Sequence, residues 1–196
     1  AMILDGLDGR VARLTRTQSA FGAEYDSLSD MVSFGVAPAL VMFEWAMKGM
    51  GKWGWIAAFI YCVGAALRLA RFNTNIEVVD KRFFQGLPSP AAAALIAGFV
   101  WVLMDLNYTG EEVRWYAWAL TIFAGVTMVS NFRYYSGKDI NLRRSVPFIA
   151  VLAIVLLFVL VSSYPPGILF ALFLCYAFSG YILAVLDWVR RRKTLV

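Results

Sequence analysis

Four aspartates near the start of the sequence have the residue type and the spacing that metal-dependent chemistry needs. Asp5 and Asp8 are three residues apart in the chain. Asp26 and Asp30 are four residues apart, so on helices each pair projects from a single face. Carboxylate oxygens favour Mg²⁺ or Mn²⁺, and two such ions could bridge a diphosphate and stabilise its leaving oxygen. The spacing therefore predicts a carboxylate metal site that acts on a phosphorylated substrate.

The residue types that the sequence lacks limit the chemistry further. It contains no histidine, which excludes Ser/His/Asp and Cys/His triads and zinc sites built on imidazole. Cys62 and Cys175 both lie in apolar runs, so we expect free thiols and no disulfide. Four clustered carboxylates repel one another and need a cation. Salt bridges from Arg13 and Arg16 are therefore the alternative to a metal site.

Membrane helices must position these carboxylates. Of the 196 residues, 61% are hydrophobic and 16% aromatic, and the mean hydropathy is +0.67, which is too apolar for a soluble globular protein. Runs of about 17 to 25 apolar residues cross a hydrocarbon core of about 30 Å as helices. Six such runs predict an all-α, polytopic membrane helix bundle with spans at 31–47, 53–70, 89–106, 113–130, 147–163 and 167–189.

Basic residues are strongly biased to one side of this predicted bundle. If the segment after the first aspartate pair is cytoplasmic, 15 of the 18 Lys and Arg residues fall on the cytoplasmic side, as the positive-inside rule requires. The basic run at 190–193 then anchors the last span against anionic lipid, and we expect no nucleic-acid partner. The bias predicts an integral protein of a prokaryotic cell membrane, with its longer loops and its active site facing the cytoplasm.

The aspartates belong to a longer pattern of eight fixed positions, which reads Asp5-x2-Asp8-Gly9-x2-Ala12-Arg13-x8-Gly22-x3-Asp26-x3-Asp30. At every one of these positions it resembles the signature of the CDP-alcohol phosphotransferase family. The resemblance implies a six-helix core with a polar cavity open to the cytoplasm, joined here by two further spans, and a homodimer. In the family the motif lies on the second and third core helices. We therefore expect that the first core helix is missing and that residues 1–196 form a single transmembrane catalytic domain, truncated at the N-terminus.

The resemblance also implies a role for each motif residue. Two metal ions, Mg²⁺ or Mn²⁺, would be bound by the four aspartates Asp5, Asp8, Asp26 and Asp30. The CDP group would be contacted by Asp8, Gly9, Ala12, Arg13 and Gly22. Asp30 would also act as general base for the acceptor hydroxyl. The small residues suit such a site, because a bulky ligand can approach the backbone closely where side chains are short.

Two further stretches, 67–73 and 84–93, are similar to the phosphatidylserine synthase branch of this family. The similarity implies that CDP-diacylglycerol and L-serine are the substrates and that phosphatidylserine and CMP are the products. Arg68 or Arg71 would hold the serine carboxylate, since a planar guanidinium matches that group in bidentate fashion, and Asn73 would accept from the ammonium group. Membrane anchoring by the two arginines is the alternative interpretation.

Two other functions remain open from the sequence. Within the family, glycerol 3-phosphate or an inositol phosphate is the alternative acceptor, and Arg133, Arg143 and Arg144 could supply the cations that its phosphate needs. Outside the family, the carboxylates of a metal-ion transporter would form a path through the bilayer. The clustering of the aspartates at one interface disfavours that second alternative.

Overall fold

A computed structural model describes residues 20–74, 83–135 and 148–194 of the chain. Helices form nearly all of this part, which confirms the all-α fold class. The α-helices are α1 (Ala20–Asp30), α2 (Ala37–Met42), α3 (Lys52–Thr74), α4 (Ser89–Asp105), α5 (Arg114–Val129), α6 (Phe148–Ser163) and α7 (Pro165–Thr194). Two π-helical segments (Met31–Val36 and Phe43–Met47) and a 3₁₀ turn (Lys48–Met50) extend α1 and α2 into one long helix. The short strands are β1 (Phe83–Gln85) and β2 (Arg133–Tyr135).

The π-helical segment Met31–Val36 is stabilised by side chains of the neighbouring helix. A wider turn disturbs the regular ladder of backbone hydrogen bonds, and its carbonyl groups need other donors inside a membrane. The Tyr61 hydroxyl on α3 donates to the Phe34 carbonyl oxygen at 3.1 Å. The Cys62 thiol donates to the Gly35 carbonyl oxygen at 3.7 Å. These two contacts fix α3 against the long helix that starts with α1.

Helices occupy all six positions at which the sequence predicts a membrane span. Among the described residues, three helices are long and apolar enough to cross a membrane, judged by length and composition: Glu24–Met50, Lys52–Thr74 and Pro165–Asp187. Helix α4 has 17 residues, and α5 and α6 have 16 residues each. The positions of the helices are therefore confirmed, whereas the number of spans stays a prediction.

Helices α3 and α5 cross where each carries a glycine. A Cβ atom built on Gly64 would clash with the Gly125 carbonyl oxygen, and one built on Gly125 would lie 2.9 Å from the Tyr61 Cα. Around the crossing, Tyr61, Ala65 and Ala124 are fully buried. Small residues let helix backbones approach closely, which is how helices associate in lipid. This crossing holds the C-terminal end of α3 beside the C-terminal end of α5.

Two loops that the sequence predicts to be cytoplasmic are joined by an antiparallel ribbon, in which Phe84 of β1 lies opposite Tyr134 of β2. The sequence predicts no strand here, because three-residue strands are too short to show a period-2 pattern. Tyr134 is fully buried, and its hydroxyl donates to the Ala177 carbonyl oxygen of α7 at 2.8 Å. Burial raises the pKa of the Tyr134 phenol, so the side chain stays a neutral donor. The ribbon therefore fastens both loops to α7.

Candidate active site

The second half of the aspartate motif lies on α1. Gly22, Asp26 and Asp30 are spaced by four residues in a regular helix, which places them along one face. Gly22 and Asp26 are exposed, and Asp30 is partly buried where α1 meets the π-helical segment. The glycine has no side chain that would cover the approach to Asp26. The remaining motif residues lie outside the described residues: Asp5, Asp8, Gly9, Ala12 and Arg13.

The described carboxylates fit a site for a hard divalent cation. Asp26 and Asp30 offer oxygen donors from one helix face, the ligand type that Mg²⁺ and Mn²⁺ prefer. Within residues 20–74, 83–135 and 148–194, no group of three or more potential metal ligands comes together. Asp5 and Asp8, the other predicted ligands, lie outside these ranges. The predicted metal site, with both ions, therefore stays a prediction.

Arg68 joins α3 to α4. Its side chain is partly buried, and one terminal nitrogen, Nη1, donates to the Ser89 hydroxyl of α4 at 2.7 Å. Its Nε is buried and has no hydrogen-bond acceptor among the described residues. The guanidinium also interacts electrostatically with the Tyr176 hydroxyl and the Asp30 carboxylate. A buried donor without an acceptor is costly, and an anionic ligand beside Asp30 would satisfy it.

Asn73 lies five residues further along α3 than Arg68. Its side-chain amide nitrogen donates to the hydroxyl of Ser27 at 3.0 Å. Ser27 stands between Asp26 and Asp30 in the sequence of α1. The contact therefore joins the C-terminal end of α3 to the aspartate helix. It places the predicted acceptor residue Asn73 next to the second aspartate pair.

Arg71 has different surroundings from Arg68, although the two are three residues apart on α3. Its Nη1 lies 3.3 Å from the Ser130 carbonyl oxygen and 3.1 Å from the Asn131 side-chain oxygen. Both partners lie just beyond the C-terminal end of α5. Backbone and amide acceptors of this kind hold a loop in position. The predicted acceptor residues are thus divided: Asn73 contacts the aspartate helix, Arg68 contacts α4, and Arg71 contacts the α5 side.

Three residues near the site were not singled out by the sequence: Ser27, Ser89 and Tyr176. Tyr176 comes from α7, and its hydroxyl also donates to the Tyr135 carbonyl oxygen of β2 at 3.2 Å. It is 108 positions from Arg68 in the chain, so no local pattern could reveal their proximity. Ser89 begins α4, and a serine at a helix start is equally typical of a cap. Ser27 occupies a variable position of the aspartate motif, so the motif assigns it no role.

Comparison with known proteins places the chain in a family. A sequence model of the CDP-alcohol phosphatidyltransferases matches residues 1–129, and this match ends with α5. Proteins named CDP-diacylglycerol–serine O-phosphatidyltransferase are similar to it. The Helicobacter pylori (strain ATCC 700392 / 26695) protein is 39% identical over 162 residues, which are 81% of this chain and 67% of that protein. The Methanocaldococcus jannaschii protein is 37% identical over 192 residues, which are 97% of this chain and 81% of that protein.

A eukaryotic relative of the same name shares a shorter region. The Saccharomyces cerevisiae protein is 42% identical over 107 residues, which are 51% of this chain and 38% of that protein. The resemblance found in the motif is therefore confirmed, and an enzyme is favoured over the metal-ion transporter. Together with its long apolar helices, these matches show that the chain is an integral membrane transferase that belongs to the CDP-alcohol phosphatidyltransferase family.

Proposed function

We propose that this chain transfers the phosphatidyl group of CDP-diacylglycerol to the hydroxyl of L-serine and releases CMP. The names of its relatives support this choice of substrates. The observation that carries it is the buried Nε of Arg68, which has no hydrogen-bond acceptor among the described residues and can bind an anionic group near Asp30. The Arg68 guanidinium can bind a carboxylate, and the Asp30 carboxylate can accept the proton of a hydroxyl group. An amino acid with a hydroxyl side chain needs both.

The diphosphate of the CDP-lipid would lie along the aspartate face of α1. Mg²⁺ or Mn²⁺ ions held by Asp5, Asp8, Asp26 and Asp30 would supply positive charge to the diphosphate. Gly22 leaves room for the nucleotide beside Asp26, since it has no side chain. Arg13 and the small residues Gly9 and Ala12 are the other proposed contacts of the CDP group. Phosphoryl-type transfer needs mostly positioning and charge neutralisation, which suits this set of residues.

Serine would be held by α3. The Arg68 guanidinium takes the carboxylate, because its buried Nε has no acceptor among the described residues. Asn73 stands on the aspartate side through its contact with Ser27, where its side-chain oxygen can accept from the serine ammonium group. These contacts favour Arg68 over Arg71 as the carboxylate-binding residue. They leave the serine hydroxyl facing the Asp30 side of the site.

The chemical step is a displacement at phosphorus. The serine hydroxyl oxygen forms a bond to the phosphorus of the phosphatidyl group. The bond between that phosphorus and the bridging oxygen of the diphosphate breaks, and CMP leaves with this oxygen. The proton of the serine hydroxyl passes to the Asp30 carboxylate. A carboxylate placed in this way contributes about 10²- to 10⁴-fold as a general base.

The test is serine-dependent release of CMP by the purified protein in mixed micelles with CDP-diacylglycerol. We expect turnover with Mg²⁺ or Mn²⁺ and none in excess EDTA. Asp30→Asn should lower kcat by at least about a hundredfold, because the amide neither accepts the proton nor binds the metal well. Unchanged turnover in EDTA would contradict the metal requirement. An Asp30→Asn variant as fast as the wild type would contradict the role of Asp30.

A further inference from the structure

Ser89 stands at the start of α4 and touches the residue that we assign to the acceptor. It is 1% exposed, and its hydroxyl accepts a hydrogen bond of 2.7 Å from Nη1 of Arg68. A serine at the N-cap position of a helix bonds to the backbone of the first turn. The N-cap of α4 is Pro88, so Ser89 is the first residue of the helix, and its hydroxyl bonds to Arg68. The contact therefore calls for an explanation other than helix capping.

The loop that carries Ser89 is held rigidly. Gly86 has a φ of +76°, and a Cβ atom on it would clash with the Met128 carbonyl oxygen. The Gly86 backbone N–H donates to the Phe132 carbonyl oxygen at 2.9 Å, and the Leu87 N–H donates to the Thr127 carbonyl oxygen at 3.1 Å. Both acceptors lie at the C-terminal end of α5 or just beyond it. Ser89 is thus held at a fixed place relative to α5.

The hydrogen bond that Arg68 donates to Ser89 engages one edge of the guanidinium. Arginine has five N–H donors in a planar fork, and a carboxylate binds best to two parallel donors. Nη1 is engaged by Ser89, and Nε forms the parallel pair of the other edge with Nη2. Nε is the buried donor that has no acceptor within the described part of the chain. The bond therefore turns the side of Arg68 that contains Nε towards a ligand.

We propose that Ser89 is a positioning residue for the acceptor: it orients the Arg68 guanidinium so that Nε and Nη2 receive the carboxylate of a small amino acid. The inference rests on the proposed function and adds a residue to it. Ser89 itself touches neither the diphosphate nor the serine. Its effect should therefore appear in the KM for serine, and neither in the KM for CDP-diacylglycerol nor in the chemical step.

The experiment compares Ser89→Ala with a variant that keeps the Ser89 hydroxyl and with a variant that removes a different buried hydroxyl. Ser89→Ala should raise the KM for serine about three- to tenfold, because a charge-assisted hydrogen bond that orients the arginine is lost. The KM for CDP-diacylglycerol and kcat should stay within about twofold. Ser89→Thr retains the hydroxyl and should restore the KM for serine. The matched control is Thr121→Val, which removes another fully buried hydroxyl with a 2.7 Å bond, to the Ala117 carbonyl oxygen, and should change neither KM.

A double-variant measurement separates positioning from a purely structural role. If Ser89 acts through Arg68, adding Ser89→Ala to Arg68→Ala should not raise the KM for serine any further. A serine KM unchanged in Ser89→Ala, or raised by the same factor with and without Arg68, would overturn the inference. If the wild-type protein does not use serine at all, the proposed function fails before any Ser89 variant is compared. The two failures are therefore distinguishable.

Discussion

At the scale of single residues, the two arginines near the end of α3 have opposite surroundings. Arg68 contacts Ser89, whereas Arg71 contacts the Ser130 carbonyl oxygen and the Asn131 side chain. A basic pair at the end of a span has the same appearance in the sequence whichever member faces a site. The difference comes from the packing of α3 between its neighbours. Alanine variants of Arg68 and Arg71 can therefore be compared directly.

Arg68→Ala should weaken the use of serine by about one to two orders of magnitude, because losing a charge-assisted contact costs about 1.5 to 3 kcal/mol. The KM for CDP-diacylglycerol should change little, since Arg13 and the metal ligands are the proposed contacts of that substrate. Arg71→Ala should have a much smaller effect on serine. Initial rates over a range of serine concentrations measure both variants. A larger loss in Arg71→Ala than in Arg68→Ala would contradict the assignment.

Asp26 offers a second test at this scale. Asp26→Asn should lower activity by at least about a hundredfold, because a neutral amide is a poorer ligand for a hard cation. The folded state should survive, since Asp26 is exposed on α1. Activity and thermal unfolding of the purified variant in detergent check the two statements separately. Near wild-type activity at saturating Mg²⁺ would exclude Asp26 from the metal site.

At the scale of elements, the crossing of α3 and α5 positions the arginines. A methyl group on Gly64 would clash with the Gly125 carbonyl oxygen, so Gly64→Ala must push the helices apart. We expect a loss of about 1 to 3 kcal/mol of stability, typical of overpacking. Gly49→Ala is the control, because a Cβ atom there has no heavy atom within 4 Å. Thermal unfolding in detergent should show a lower midpoint for Gly64→Ala alone, and equal midpoints would contradict the crossing.

The helices were predictable from the sequence, and the contacts between them were not. Apolar runs report burial in lipid directly, so the helix at Lys52–Thr74 falls where the hydropathy places it. The spacing likewise predicted that Asp26 and Asp30 share one helix face, because it is local to one helix; their role as metal ligands stays a prediction. The Arg68–Ser89 bond joins residues 21 positions apart on two helices. The pairing of a hydroxyl with an arginine depends on how α3 and α4 pack. The hydrophobic pattern of each helix does not predict this packing.

At the scale of the whole molecule, the charge bias predicts the orientation in the membrane. In the predicted topology 15 of 18 basic residues lie on one side, so both long loops and the C-terminus should face the cytoplasm. Lys138→Cys, in a background without Cys62 and Cys175, should resist an impermeant thiol reagent in sealed cells and react after lysis. Position 138 lies outside the described residues, so the test depends on topology alone. Labelling in sealed cells would overturn the orientation.

We propose that residues 1–196 form one catalytic domain. We expect this domain to form a homodimer. The family match ends at residue 129, and Tyr176 of α7 lies beyond it, close enough to Arg68 for an electrostatic interaction. If Arg68 binds the acceptor as proposed, a helix beyond the matched region adds to the surroundings of the acceptor. This arrangement offers a physical reason why members that share the aspartate motif can differ in the alcohol that they use.

The central claim is that serine is the acceptor, and one competition experiment tests it most directly. The purified protein receives CDP-diacylglycerol, Mg²⁺ and equal concentrations of L-serine, glycerol 3-phosphate and inositol phosphate. Mass spectrometry then identifies the lipid product. Phosphatidylserine should be the dominant product, because the Arg68 and Asp30 pair suits a hydroxyl amino acid. A product that carries glycerol phosphate or inositol phosphate, with no phosphatidylserine, would contradict the account and move the acceptor site towards the basic loop at Arg143 and Arg144.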